Sequence, residues 1–304
     1  MGKHPQVLLI GNGVNRAYGG IDWNALLARI SGRDVSDITS ISVPFPFKAI
    51  LATEDNLKEA IASDGEELYG EIKSGLHRDM LSEILMMGFD DILTTNYSYE
   101  LEESALGLTE LHGNQIKKIK QLLRYTKDHA ENQYFLHTYN EVICGGVTNR
   151  IWHIHGESRK QDSMVLGHYW YGNQLFKIKD VLYERKNAYS ETANNRPIID
   201  RSWVDSFILG DVYVLGFGFD LSEIDLWWLL NRKLREKGNH GKVIFYEPKD
   251  DRNQHKIELL KLMKVQHESF EMENVDNSNP TNNYINFYKK AIEDIREQMA
   301  SNHD

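Results

Sequence analysis

A short apolar strand that runs directly into a glycine turn is the feature that most restricts the fold. Residues 7–10 are Val, Leu, Leu and Ile, and Gly11, Asn12 and Gly13 follow them. Four consecutive apolar residues favour a strand that is covered on both faces, as in a parallel sheet. The glycines allow a tight turn, and the amides of a following helix suit a phosphate or pyrophosphate group.

Arg16 adds a permanent positive charge that can pair with phosphate oxygens. It also stands where the dinucleotide-binding fingerprint would have its third glycine, so that only half of the fingerprint is present. An ordinary strand-to-helix turn is therefore an open alternative for this stretch.

Strand and helix patterns alternate along the rest of the chain. Further strands are predicted at residues 92–95, 150–155, 165–167, 211–215, 243–246 and 265–270, with a strand or hairpin at 134–144. Helices are predicted at residues 23–30, 48–87, 115–127, 169–183, 201–209, 222–237, 255–263 and 284–299, and another begins at residue 96. Residues 32–46 are interpreted as a loop or a short extended stretch. This alternation favours an α/β fold, a Rossmann-like mostly parallel sheet with helices on both faces. We expect one domain over residues 1–304, with a helical insert at about 36–90 and room for a second insert at about 103–150.

Composition excludes several classes of protein. The net charge of −10 argues against a broad surface for duplex nucleic acid, although a local positive pocket for a small anion remains open. Cys144 is the single cysteine, so neither a disulfide framework nor a cysteine zinc cluster can form within one chain. No signal-peptide pattern and no membrane-length apolar run stand out. We expect a cytoplasmic protein with no direct nucleic-acid binding and no membrane.

Polar or glycine-rich turns follow four of the predicted strands. They are Gly11-Asn12-Gly13, Thr95-Asn96, His155-Gly156 and Gly216-Phe217-Gly218. Ligands of open α/β sheets bind outside the carboxyl ends of the strands. If the strands are parallel, these turns meet at one crevice.

Asn96 offers both a donor and an acceptor, and could orient a ribose hydroxyl or a water molecule. The local sequence favours the alternative that Asn96 caps a helix, a role that asparagine fills well.

The pair His153 and His155 lies on one face of its predicted strand, and His155 occupies the last position, where a crevice would open. A neutral imidazole there can accept a proton. A metal-binding histidine pair is a weaker alternative, because no carboxylate or cysteine stands nearby at a recognisable spacing. A core histidine held by a backbone carbonyl suits His153 better than His155. The chain lacks a Gly-x-Ser-x-Gly elbow and a Gly-Lys-Ser/Thr phosphate loop.

Taken together, these stretches resemble the sirtuin superfamily, in particular its bacterial sirtuin-like NAD hydrolases of antiphage defence. Residues 11–16 resemble that group's opening phosphate loop, residues 94–97 its Thr-Thr-Asn-Tyr stretch, and residues 153–156 its His-Gly stretch. Residues 214–219 resemble the later glycine turn near the cofactor, and residues 244–247 the last core strand, which borders the adenosine end.

Two departures from the group's pattern bear on the chemistry. Ser98 stands where the group commonly has an aspartate, two residues after its catalytic asparagine. The four-cysteine zinc module of deacylating sirtuins cannot be built with one cysteine, so protein deacylation is disfavoured.

The resemblance implies NAD as the substrate, cleaved at the nicotinamide–ribose bond to give nicotinamide and ADP-ribose or a cyclic form. Asn96 and His155 match the catalytic positions, and no metal is expected. The matched cofactor-binding positions are Gly11, Asn12, Gly13, Asn15, Arg16, Thr95, Gly216, Gly218 and Glu247. A homo-oligomer or a cognate defence partner is expected to control such an enzyme.

Two other functions stay open. One is a non-catalytic module that binds NAD or ADP-ribose as the regulatory subunit of a defence complex. The other is transfer of ADP-ribose to a protein.

Overall fold

The computed structural model describes ten stretches of the chain. They are residues 4–53, 74–106, 123–125, 134–158, 160–185, 189, 201–236, 240–249, 253–272 and 280–301.

One eight-stranded sheet runs through the molecule. In chain order its strands are β1 (Gln6–Ile10), β2 (Asp91–Thr94), β3 (Leu123–Tyr125), β4 (Thr138–Cys144), β5 (Val147–His153), β6 (Asp211–Leu215), β7 (Val243–Pro248) and β8 (Gln266–Phe270). Their spatial order is β3-β4-β5-β2-β1-β6-β7-β8. In this spatial order, the strands from β5 through β2, β1, β6 and β7 to β8 all pair in parallel. At the β3 edge of the sheet, β3 pairs antiparallel with β4, and β4 pairs antiparallel with β5. The predicted α/β, Rossmann-like, mostly parallel fold is confirmed.

The parallel part of the sheet has the order that dinucleotide-binding folds use. Numbered by their own succession along the chain, its six strands lie in the order 3-2-1-4-5-6. The order reverses between β1 and β6, which lie side by side with Ile10 opposite Leu215. Ligands of such sheets bind in the crevice at this reversal.

Helices cover both faces of the sheet. They span Gly13–Arg16, Trp23–Ser31, Val35–Ser40, Phe45–Thr53, Gly75–Leu85, Glu100–Leu106, Tyr134–His137, Gly167–Glu184, Trp203–Leu209, Ile224–Arg235, Gln254–Leu262 and Pro280–Ser301. Within the described ranges, none of them is both long and apolar enough to cross a membrane.

The two faces of β1 show why its apolar run is continuous. Val7 and Leu9 pack into the cluster formed with the helices Gly167–Glu184 and Trp203–Leu209. Leu8 and Ile10 pack into a second cluster on the opposite face. Because successive strand residues point to opposite faces, both faces of the strand must be apolar.

Several local predictions are confirmed with shifted ends. Asp22 caps the helix Trp23–Ser31, and its carboxylate accepts a hydrogen bond from the amide of Ala25. Of the stretch 134–144, predicted as a strand or hairpin, Thr138–Cys144 is β4, which Gly145 and Gly146 join to β5 in a hairpin, whereas Tyr134–His137 is a short helix.

Other predictions are wrong. Residues 32–46, expected to be a loop, contain the helix Val35–Ser40 and the start of Phe45–Thr53. Residues 165–167 form no strand with any described residue, although the Val165 amide does bond the carbonyl of His155. Most of the predicted helix 115–127 lies outside the described residues, and its described part, residues 123–125, is the strand β3. Residues 54–73 of the predicted helical stretch 48–87, and most of the second insert, also lie outside the described residues.

Candidate functional site

A cleft of about 930 Å³ opens at the point where the strand order reverses. Nine of the eleven residues predicted for the site line this cleft, namely Asn12, Gly13, Arg16, Thr95, Asn96, His155, Gly216, Gly218 and Glu247. Gly11 and Asn15 are not among the lining residues and lie beneath them, as described below. Asn96 and His155, which come from different strand ends, therefore face the same space.

The turns after β1 and β6 are in direct backbone contact. The amide of Gly11 donates to the carbonyl of Leu215 at 3.0 Å, and the amide of Gly13 donates to that of Gly216 at 2.8 Å. A Cβ atom on Gly11 or Gly13 would lie 2.7 Å from the Gly216 oxygen, and Gly216 itself has a φ of +66°. Only glycines allow this approach, so Gly11 serves the floor of the cleft.

Two cations stand at the mouth of the cleft. The guanidinium of Arg16 is 58% exposed and lies 3.8 Å from the carboxylate of Asp22. Lys48, which the sequence analysis did not single out, lines the same cleft and contacts Asn24. The helix after the glycine turn, Gly13–Arg16, is a single turn, so the expectation of phosphate binding at its amides gains little support. Arg16 and Lys48 are the cationic side chains that a bound anion would meet there.

Asn96 is held at three of its polar atoms. Its amide N–H donates to Oγ1 of Thr94 at 3.1 Å, and its carbonyl lies 2.8 Å from Nδ1 of His153. Its side-chain Nδ2 donates to Oε1 of Glu100 at 2.7 Å. The next helix begins only at Glu100, so the alternative in which Asn96 caps a helix is wrong.

Asn15 reaches the same acceptor from below. Its Nδ2 donates to Oε1 of Glu100 at 2.6 Å, and its Oδ1 lies 3.1 Å from Nε2 of His77. Asn15, Glu100 and His77 are all buried. Asn15 therefore supports the cleft from behind the predicted asparagine.

His155 lies just beyond the end of β5 rather than within the strand, and it is buried against two carboxylates. Its Nε2 lies 2.9 Å from Oδ2 of Asp225 and 3.8 Å from Oε2 of Glu223. Burial acts to lower the pKa of His155, but the charges of Asp225 and Glu223 together raise it above its ordinary value.

Tyr171 and Glu223 complete this side of the cleft. The Tyr171 hydroxyl donates to Oε2 of Glu223 at 2.8 Å, and the tyrosine ring meets the His155 ring edge-on at 5.5 Å. Burial is the main cause that raises the pKa of Glu223 to about 7, and the Asp225 charge adds to it, although His155 acts against them. Burial also keeps the pKa of Tyr171 well above 10, so its hydroxyl stays a donor.

His153 belongs to the core. Its Nδ1 contacts the Asn96 carbonyl and its Nε2 lies 2.9 Å from Oε1 of the fully buried Glu102. A carbonyl and a carboxylate both accept, so each ring nitrogen carries a proton and donates. Despite burial, Glu102 raises the pKa of His153 to about 9. The interpretation of His153 as a core histidine held by a backbone carbonyl fits this geometry.

Two carboxylates lie beside His155, so the expectation that none is placed to share a metal with it is wrong. One ligand atom each from His155, Glu223 and Asp225 lies within 4.8 Å of the others, so the three could hold a cation. The direct bond between His155 and Asp225 also accounts for the cluster without one.

The far end of the cleft is formed by the end of β7. Oε1 of Glu247 accepts hydrogen bonds from Lys256 at 2.6 Å and from Asn253 at 2.9 Å. At the near end, the Trp23 ring packs on Phe45 and Tyr97, with ring centres 4.6 and 5.7 Å apart. Charged side chains and flat apolar rings therefore both line the cleft.

No protein-family model matches this chain, and no curated protein sequence matches it.

Sequence reasoning missed Glu100, Tyr171, Glu223 and Asp225. Glu223 and Asp225 follow the glycine turn of β6 within a few residues, and carboxylates that follow a strand end were a usable signal. Glu100 stands four residues after Asn96, and in the helix predicted to begin at residue 96 this spacing alone would have placed the two side chains together.

Proposed function

We propose that this chain is an NAD glycohydrolase that releases nicotinamide and leaves ADP-ribose or a cyclic form of it. One observation carries the proposal. Asn96 and His155, the two residues that match the catalytic positions of sirtuin-like NAD hydrolases, line one cleft at the strand-order reversal of a 3-2-1-4-5-6 sheet.

The cleft suits a dinucleotide in size, and two of its side chains, Arg16 and Lys48, can meet the pyrophosphate with positive charge. Its volume of about 930 Å³ lies at the upper end of the range of small-molecule sites. Arg16 and Lys48 would bind the pyrophosphate, and Glu247 would accept hydrogen bonds from the adenosine ribose. Binding energy from these remote groups would hold the nicotinamide ribose between Asn96 and His155.

The reaction needs few protein groups. The bond between C1′ of the ribose and the pyridinium nitrogen breaks, and its electron pair leaves with neutral nicotinamide. Water oxygen forms the new bond to C1′, and the proton that water loses passes to His155. The products are nicotinamide, ADP-ribose and one proton for each NAD and water consumed. In the cyclic outcome an atom of the substrate itself replaces the water.

The bond between His155 and Asp225 selects the nitrogen that takes the proton. An ionised Asp225 accepts from Nε2–H, which leaves the lone pair on Nδ1. Among the described residues, every hydrogen bond and ion pair of this ring uses Nε2. Nδ1 is therefore the base atom, and Asp225 sets the tautomer.

The cellular role rests on the resemblance alone. We propose a cytoplasmic effector that depletes NAD in antiphage defence, held inactive until a partner protein or self-association triggers it. Since uncontrolled NAD loss harms the cell, the purified chain alone is expected to show low turnover until that trigger is supplied.

The test is nicotinamide release by the purified chain, alone and with proteins encoded beside its gene. Asn96→Ala and His155→Ala should each abolish release while the protein stays folded. Full activity in either variant removes the role assigned to that residue. Saturable NAD binding without release under every condition favours the regulatory-subunit alternative, and a modified partner seen by mass spectrometry favours ADP-ribosyl transfer.

A further inference from the structure

One carboxylate beneath the cleft receives two side-chain amides. Oε1 of Glu100 accepts from Nδ2 of Asn96 at 2.7 Å and from Nδ2 of Asn15 at 2.6 Å. Glu100 is 4% exposed and is the first residue of the helix Glu100–Leu106. A negative charge in the first turn of a helix is favoured by the helix dipole.

This contact fixes which way the Asn96 amide points. An asparagine side chain can present either its oxygen or its NH2 group, and the two are close in shape. An ionised carboxylate only accepts hydrogen bonds, so the group that faces Glu100 must be the NH2 of Asn96. The Asn96 oxygen Oδ1 is then turned the other way. Within the described part of the chain, no protein group bonds Oδ1, and Asn96 lines the cleft.

The support below Glu100 is itself oriented. Oδ1 of Asn15 lies 3.1 Å from Nε2 of the fully buried His77, and Nδ2 of Asn15 also donates to Oδ1 of Asn12 at 3.3 Å. The amide of Asn15 therefore has an acceptor at its NH2 end and a ring nitrogen at its oxygen end. These hydrogen bonds hold the Glu100 carboxylate within hydrogen-bond distance of the Asn96 side chain.

We infer that Glu100 is a positioning residue that makes Asn96 present its amide oxygen, and not its NH2, to the ligand. This inference rests on the proposed function for its effect on turnover. The group that Asn96 holds is then a hydrogen-bond donor, namely a ribose hydroxyl or a water molecule. Such a contact holds either the sugar or the attacking water in the reacting geometry.

Glu100→Gln tests the inference with little change in shape. Glutamine can face Asn96 with either end of its own amide, so the Asn96 amide is no longer held in one orientation. We expect kcat for nicotinamide release to fall by on the order of 10- to 100-fold, because a small misplacement of a reacting group has that effect. KM should change by less than about threefold, since the groups assigned to the pyrophosphate are untouched. Glu83→Gln, at an exposed carboxylate paired with Arg296, is the matched control and should keep wild-type values.

A spectroscopic readout separates positioning from folding and from activity. With asparagine labelled with 15N, the side-chain NH2 signal of Asn96 is assigned by its absence in Asn96→Ala. In the wild type, the chemical shifts of its two protons should be well separated, and both protons should exchange slowly with water. In Glu100→Gln, the two chemical shifts should become more similar and the exchange should be faster. If Glu100→Gln does not fold, the exchange rate of the Asn96 NH2 signal in the wild type alone tests whether Glu100 positions Asn96.

The two proposals fail in different ways. A wild-type chain that binds NAD without releasing nicotinamide overturns the proposed function, while the NH2 signal still decides the role of Glu100. A folded Glu100→Gln with wild-type kcat, or a wild-type Asn96 NH2 signal that exchanges as freely as that of an exposed asparagine, overturns the positioning role.

Discussion

Nε2 of His155 and Oδ2 of Asp225 lie 2.9 Å apart, although the two residues are 70 positions apart in the sequence. The bond joins the turn after β5 to the helix Ile224–Arg235, which follows β6. Asp225 is fully buried, and its other carboxylate oxygen, Oδ1, accepts a hydrogen bond from the amide of Leu226 at 2.9 Å.

The first prediction concerns the removal of that charge. Asp225→Asn should lower kcat for nicotinamide release by about 100-fold or more, because the tautomer of His155 is no longer fixed and its conjugate acid is no longer stabilised. Because Asp225 raises the pKa of His155, its loss should also move the acid side of the rate–pH profile to lower pH.

A rate–pH profile of kcat/KM for the wild type and Asp225→Asn measures both effects. Asp37→Asn, at an exposed carboxylate that does not line the cleft, is the control, and the acid side of its rate–pH profile should coincide with that of the wild type. An Asp225→Asn profile that coincides with the wild-type profile contradicts the assignment of His155 as the base.

The second prediction concerns stability and the pair His153–Glu102. The pKa of His153 is raised from 6.5 to about 9, so the folded state binds its proton more tightly than the unfolded state does. The resulting stabilisation is fully present below pH 6.5 and is lost as the pH rises through 9. At about 1.4 kcal/mol per pKa unit, the loss is on the order of 3 kcal/mol.

Urea unfolding of the wild type and His153→Gln between pH 6 and pH 10 isolates this contribution. The difference in free energy of unfolding between the two proteins should shrink as the pH rises. A difference that is constant over this range means that His153 is not protonated in the folded protein.

The third prediction compares two glycines. Gly216→Ala must place a Cβ atom 2.9 Å from Val14 at a φ of +66°, so we expect a loss of at least about 2 kcal/mol in free energy of unfolding and weaker NAD binding. Gly172 lies within the helix Gly167–Glu184 with open space around it. Gly172→Ala should therefore stabilise the protein by roughly 0.5–1 kcal/mol.

Thermal unfolding and an NAD titration of both variants check this pair. Gly216→Ala with wild-type stability and binding would show that the β1 and β6 turns are not held as closely as described.

The parts of the fold and of the candidate site that could be predicted are those that depend on short, local sequence patterns. The apolar runs of β1 and β6 and the turns after them are local patterns, so the sheet and the meeting of Asn96 with His155 followed from the sequence. The strand expected at residues 165–167 was wrong because a short buried apolar run has the same sequence pattern as a strand. Val165 donates one backbone hydrogen bond, to His155, and these residues do not pair with a described strand. The helix Val35–Ser40 was missed because Ile38 is its only buried residue, which gives no periodicity.

The sequence could suggest carboxylates near the cleft, but not which residue each of them supports. Asp225 is remote from His155 in sequence, and only the packing of the helix Ile224–Arg235 beside β5 brings the two together. Glu100 is one of three acidic residues in the first turn of its helix, and the sequence does not show which of them Asn96 and Asn15 contact.

The most direct test of the central claim mixes the activated chain, in excess over NAD, with radiolabelled NAD and follows nicotinamide and bound NAD in the same sample. We predict that the wild type converts its bound NAD to nicotinamide, whereas Asn96→Ala and His155→Ala bind NAD but release none. Release at the wild-type rate by either variant, or failure of all three proteins to bind NAD, would contradict the assignment of this cleft as an NAD-cleaving site.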